Sequence, residues 1–279
     1  MPMAGASRAE VHRMNQGQNK QYKRVLALIL FLGIGLGLVT GTFLNPSFMK
    51  GQITSNNNSA VIARQINGHF NALADYVGAD AADDTNLLSE KEALPIANHV
   101  IDYVLGIHWL KTNSSSLAKT IYNDIQKDVT SDSSTDAQGI KKQLKEHQSS
   151  AVAYVTAAFD LSLVMLGANL VTILLVINIV IIVSVIIMLL SMIREMREML
   201  STRSMIHTIV AAGMWAAGWL ILLSGIMAII PVLFNVEAWN LGGVGYLIEI
   251  ASSTFLDFVI VGTVLYIVCA IPWQATAAK

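Results

Sequence analysis

A chain of 279 residues that is 54% hydrophobic and 13% charged, with a mean hydropathy of +0.55, carries about half the charge of an ordinary soluble domain, which holds roughly 25%. A formal net charge of −1 argues against a nucleic-acid partner, which a basic stripe or patch would mark. A single cysteine, Cys269, excludes a disulfide framework.

The chain opens on a basic tail, residues 1–24, with Arg8, Arg13, Lys20, Lys23 and Arg24. Residues 25–44 form an apolar run that meets the ~20 residues a helix needs to cross a bilayer, the expected first transmembrane helix. Within it, LGIGLGLVTG sets glycines at 33, 35, 37 and 41, near the spacing of a dinucleotide-binding turn. That chemistry needs a preceding strand, a following helix and an acidic residue about 20 positions on, and the sequence has none of them. On a helix, Gly33, Gly37 and Gly41 fall on one face, a small-residue ridge that lets another helix approach, in this chain or in a second copy of a homo-oligomer. A competing reading makes residues 1–41 a secretory signal, but the apolar run is long for one and no clear cleavage site precedes Asn45.

Residues 45–160 are polar and helical in pattern. Ile62, Ile66, Phe70, Leu73 and Val77 recur at helical steps and stop at Gly78, a C-cap residue. A second helix is expected over 94–110, after Glu90, Glu92 and Pro95. A third starts near Leu117, with Ile121, Ile125 and Val129 four apart and Ser114 to Ser116 as N-cap. The stretch TSDSSTDAQG reads as a turn, and Ile140, Leu144 and Val152 begin a helix expected to continue into the second apolar run. About 115 residues suffice for a core, so this segment is read as a helical extracytoplasmic domain. It carries 9 Lys or Arg against 13 Asp or Glu, a mildly acidic balance of −4. His69, His99, His108, Asp75 and Asp102 are the residues that would have to meet on a metal, but no pair has a metal-motif spacing, and separate polar roles are expected instead. DAADDTN, residues 80–86, lacks the alternating ligands of a calcium loop.

Three more apolar runs follow. Residues 161–193 are read as transmembrane helix 2, 194–208 as a cytoplasmic loop, 209–234 as helix 3, 235–247 as a short outside turn, 248–273 as helix 4 and 274–279 as a cytoplasmic tail. Lys and Arg mark the cytoplasmic side: they fill the N-terminal tail, recur as Arg194, Arg197 and Arg203, and are missing around residues 235–240. Both termini are therefore expected inside. The last run carries Glu249, Ser253 and Asp257. A carboxylate at mid-membrane costs roughly 2.5–3.5 kcal/mol and usually faces a partner. Counted from the outer ends, Asp257, Asn169 and Ser224 fall at comparable depth, a candidate polar cluster that serves either as an ion or proton site or as glue between helices.

Enzyme signatures are missing. There is no G-x-S-x-G elbow, H-E-x-x-H or P-loop, and no thiol outside the apolar runs, so neither catalysis nor a cofactor is expected. The topology and the segment IREMREMLSTRSMI, residues 193–206, resemble FtsX-type permease subunits, a resemblance that implies an ATPase partner touching Arg194, Glu195, Arg197 and Glu198. The segment NPSFMKGQITSNNN, residues 45–58, with the helical region after it, resembles uncharacterised four-span surface proteins of Gram-positive bacteria, which implies a bacterial plasma membrane and no particular activity. The reading is an all-α, four-span membrane protein whose extracytoplasmic domain binds, senses or assembles with a partner. The alternative is a transport component, as an oligomeric channel or as an ATPase-driven permease subunit.

Overall fold

The computed structural model describes residues 8–79, 86–233 and 245–277, and among them every regular element is an α-helix. The helices are α1 (Arg8–Gly41), α2 (Pro46–Ile53), α3 (Asn56–Val77), α4 (Glu90–Leu105), α5 (Ser115–Asp128), α6 (Thr135–Glu146), α7 (Ala151–Ala158), α8 (Leu161–Met199), α9 (Thr202–Leu233) and α10 (Gly245–Ala277). They divide between two compact units.

The first unit takes in Thr40–Ile177, and its core is the apolar periodicity folded inward. Phe70 and Leu73 from α3, Ile96 from α4, Ile121 and Ile125 from α5, Ile140 and Leu144 from α6 and Val155 from α7 are all buried in one cluster. Asn45 caps α2 by accepting from the Ser47 and Phe48 amides, and Pro46 occupies the first helical position, where its missing N–H costs nothing. α3 ends at Gly78 in the left-handed region, φ 67°, as the C-cap glycine predicts.

Three local expectations are corrected here. α4 stops at Leu105, not residue 110: at Gly106 the chain turns so tightly that a Cβ would lie 2.4 Å from the Asp102 carbonyl oxygen, and residues 107–111 leave the helix. The serine-rich turn already contains the start of α6, because Ser134 Oγ accepts from the Ala137 amide and Asp136 complements the N-terminal dipole. The stretch from Ile140 onward does not run unbroken into the second apolar run. It is cut into α6, α7 and α8, the last break falling at Asp160, φ 47°, a conformation that aspartate tolerates better than most residues.

The second unit comprises the described parts of Met1–Val39, Asn178–Asn235 and Ala251–Lys279. Four helical stretches, Gln21–Gly41, Leu161–Met199, Thr202–Ile230 and Ala251–Ala277, are long and apolar enough to cross a membrane. α8 has 39 residues, about 58 Å at 1.5 Å per residue, well beyond the ~30 Å hydrocarbon core of a bilayer. The residues expected to form a loop at 194–208 are mostly helical. α8 continues to Met199 and α9 begins at Thr202, because Arg, Glu and Met are good helix formers and Met196 is buried with Leu26, Ala27 and Ala212. Helix α1 likewise starts at Arg8, inside the basic tail. Most of the expected turn at 235–247 lies outside the described residues.

Candidate functional site

The first unit carries a groove of about 970 Å³ lined by α3, the start of α4, the end of α5 and the turn before α6. Its floor is fixed by side chains that spend their polarity on the backbone. Asn67, buried on α3, accepts from the Leu88 amide at 2.7 Å and donates to the Leu88 carbonyl at 2.9 Å. Ser134 Oγ donates to the Leu87 carbonyl at 2.8 Å. Leu87 and Leu88 are thereby held with their side chains in the core.

Glu92 ties the two rims together. It closes a capping box at the start of α4, accepting from the Ser89 amide at 2.7 Å and the Ser89 hydroxyl at 2.5 Å, and its other oxygen accepts from the Ser133 hydroxyl. Burial pushes its carboxyl up, but the Ser133 and Ser89 hydrogen bonds outweigh burial and hold it below the ordinary value. Around this scaffold Arg64, Lys91 and Lys127 project as exposed cations that enter no ion pair among the described residues, beside Asp128 and Asp132. The groove thus offers both signs of charge and several hydroxyls.

The histidines and aspartates weighed for a metal serve separate ends. His69 Nδ1 lies 3.0 Å from the Ala158 carbonyl and the ring stacks on Phe159 at 5.4 Å. His99 faces Asp124 at 3.6 Å; burial raises the Asp124 carboxyl, against the opposing pull of His99. Asp102 pairs with Lys50 at 2.5 Å. His108 Nδ1 lies 2.8 Å from the Trp109 carbonyl. Among the described residues no three metal-ligating side chains come together.

The polar residues of the apolar helices are not gathered into one cluster by the contacts described. Asn169 belongs to the first unit, where its amide brackets Lys111, accepting from the Lys111 N–H at 2.7 Å and donating to its carbonyl at 2.9 Å. Ser224 is buried. Asp257 and Ser253 are exposed on α10, and Asp257 has no hydrogen-bond or ion-pair partner among the described residues. The side chain of Glu249 lies outside the described residues. Polar glue sits elsewhere in the second unit: Asn178 Nδ2 donates to the Leu36 carbonyl at 3.3 Å and Ser252 Oγ to the Ala228 carbonyl at 2.8 Å. Asn178 was legible as the one amide in LLVINIVIIVS, a run with nothing else polar until its final serine.

Of the glycine ridge only Gly33 meets a neighbour, Val185, 3.0 Å from a virtual Cβ; Gly37 and Gly41 face nothing within 4 Å. The tighter approaches are between α9 and α10, where a Cβ on Gly213 would lie 2.7 Å from Cys269 Sγ and one on Gly262 2.8 Å from Ile221 Cγ1. Their signal was the small-residue run AAGMWAAG, residues 211–218. Arg194, Glu195, Arg197 and Glu198 are exposed on the last turns of α8, with Glu195 accepting a hydrogen bond from the Tyr22 hydroxyl. Beyond them Arg203 donates to the Thr276 carbonyl at 3.1 Å, and His207 stacks on Trp273 at 5.8 Å. No family model, no curated protein and no solved structure matches this chain.

Proposed function

We propose that the chain is a multi-pass protein of a bacterial plasma membrane, with both termini cytoplasmic and residues 45–160 forming an extracytoplasmic helical domain that recognises a protein partner. It acts by binding and assembly, without catalysis or cofactor. The observation that carries this reading is the Glu92 groove. A floor fixed by Asn67 and Ser134 supports exposed cations beside acidic residues on a domain with its own core. Preorganised donors and acceptors around a concave surface suit recognition of a polar segment. The test is photo-crosslinking from position 127 in native membranes, followed by the mass and composition of the intact complex. A protein adduct from 127 that Arg64→Glu weakens supports the reading; adducts from other faces of the domain with none from 127 overturn it.

A second reading, a transport component, is favoured by one observation: Asp257 is exposed and is the one charged residue of positions 250–277. Since an ionised side chain in lipid is costly, its exposure fits a neighbouring subunit, either another copy in an oligomeric channel or a permease partner driven by a separate ATPase that touches Arg194 and Arg197. Asp257→Asn abolishing ion or proton flux in vesicles supports this reading; unchanged flux removes it.

A further inference from the structure

The segment Gly-Ile-His-Trp-Leu, residues 106–110, is folded in a way that core packing does not explain. Ile107 is 98% exposed and Trp109 94% exposed, yet the backbone that carries them is held at several points. Gly106 leaves no room for a side chain at the turn out of α4. The Asn169 amide brackets Lys111 with two hydrogen bonds. Thr172 Oγ lies 3.3 Å from His108 Nδ1, the Tyr103 hydroxyl donates to the Asn113 carbonyl at 3.0 Å, and the Lys111 ammonium sits 3.4 Å over the Tyr103 ring. An apolar tip this exposed on so firmly fixed a base marks an interaction surface rather than a frayed loop.

The residues that hold it say what covers it. Asn169 and Thr172 are on α8, one of the helices apolar enough to cross a bilayer. Counted back from the charged residue Arg194, the ~20 residues that fill a hydrocarbon core end near Leu174, and Thr172 is about 33 Å from Arg194 at 1.5 Å per residue. The turn of α8 that grips the segment therefore falls at the boundary between acyl chains and headgroups. Leu170, Ile173 and Leu174 of the same stretch are exposed as well, so the apolar tip continues the apolar surface of the helix. Tryptophan is the residue enriched at this depth, with an apolar body and a polar N–H.

We propose that residues 107–110 are a membrane-interface anchor: the side chains of Ile107, Trp109 and Leu110 enter the headgroup–acyl boundary of the lipid leaflet next to α8 and fix the first unit against the bilayer surface. Lys111 then marks the return of the chain to water. This rests on the reading that α8 spans a membrane, and the experiment separates the two. In the full chain carrying Cys269→Ala, single cysteines are placed by Ile107→Cys, which keeps Trp109, by Val180→Cys on the outward apolar face of α8, and by Ser131→Cys on the exposed turn beside the groove. Each is labelled with bimane and reconstituted into phosphatidylcholine vesicles with and without brominated acyl chains.

The expected result is loss of bimane emission in brominated vesicles at 107 and 180 and none at 131, with Asn169→Ala reducing the loss at 107 while leaving 180 unchanged. Quenching at 180 without quenching at 107 overturns the anchor and leaves the spanning helix standing. A probe at 107 that is shielded from aqueous iodide yet untouched by brominated lipid overturns it in favour of a protein cover. Emission at 180 unaffected by brominated lipid overturns the membrane reading and the anchor with it.

Discussion

The two compact units are built from the same secondary structure and obey opposite rules of burial. In the first unit most large apolar side chains of α3 to α7 point inward, Phe70 being fully buried. In the second unit the large apolar side chains point outward, Val180 being 60% exposed, while Asn178, Ser224 and Thr254 are buried. In water the hydrophobic effect gathers apolar surface. Between helices in lipid that force is missing, and association relies on close packing of small residues and on interhelical hydrogen bonds. In the second unit Gly33, Gly213 and Gly262 closely approach neighbouring helices and Asn178 donates to the Leu36 carbonyl, contacts of the kind expected of helices that span a membrane.

The largest expected effect tests the inward-facing core. Phe70→Ala should destabilise the first unit by about 3–5 kcal/mol, the range for a buried aromatic truncated in a packed core, read as a lower unfolding temperature of the detergent-solubilised protein by circular dichroism. Val180→Ala, the same kind of truncation on an outward face, should change stability within about 0.5 kcal/mol. Equal effects would erase the distinction between the units.

Next in size is Gly262→Leu, which drives a side chain into Ile221 and towards the Ala217 carbonyl, 3.4 Å from the virtual Cβ. Overpacking of this kind costs about 1–3 kcal/mol and should appear as weakened protease resistance of α9 and α10. Gly37→Leu, on a face that meets nothing, should leave that resistance unchanged in the monomer.

Polar bonds sharpen the contrast further. Asn67→Ala leaves the Leu88 N–H and carbonyl without their partner and should cost about 1–3 kcal/mol, detectable as faster hydrogen exchange at residues 87–89. Asn178→Leu, whose amide works between apolar helices, should cost about 0.6 kcal/mol, the mean for such bonds in a membrane protein.

The smallest effect is pH-dependent. Glu92 has a folded-state value held below its ordinary 4.5, so its contribution is present above that value in full and is lost as pH falls through the lower, folded one. Glu92→Gln should flatten the acid limb of the stability curve and leave the limb above pH 5 parallel to the parent protein. A steeper acid limb in the variant would contradict the capping role.

Much of this organisation was legible before any coordinates. The apolar runs and the α3 periodicity closing at Gly78 followed from local rules, because a run of ~20 apolar residues and a 3.6-residue period each carry their own physics, whereas Ser114 precedes α5 without a side-chain capping bond and Asn113 Oδ1 accepts from the Ser115 amide instead. Boundaries governed by distant contacts were not legible. The persistence of α8 through Arg194 to Met199 depends on the burial of Met196 beside Leu26 and Ala212. The groove was invisible for the same reason. Asn67, Leu88 and Ser134 are separated widely in sequence, and nothing in the identity of an asparagine on a helix says which backbone it will bracket.

By itself, then, the sequence determined the helical class, the two opposed compositions and the places of the apolar helices, since each depends on residues within a few turns of one another. Tertiary structure decided which glycines meet a partner, that Asn169 holds Lys111 rather than standing free on its helix, and that Trp109 is held out on a fixed base. Those outcomes depend on side chains brought together across tens of residues, where the geometry of packing, and not the pattern of the chain, selects the contact.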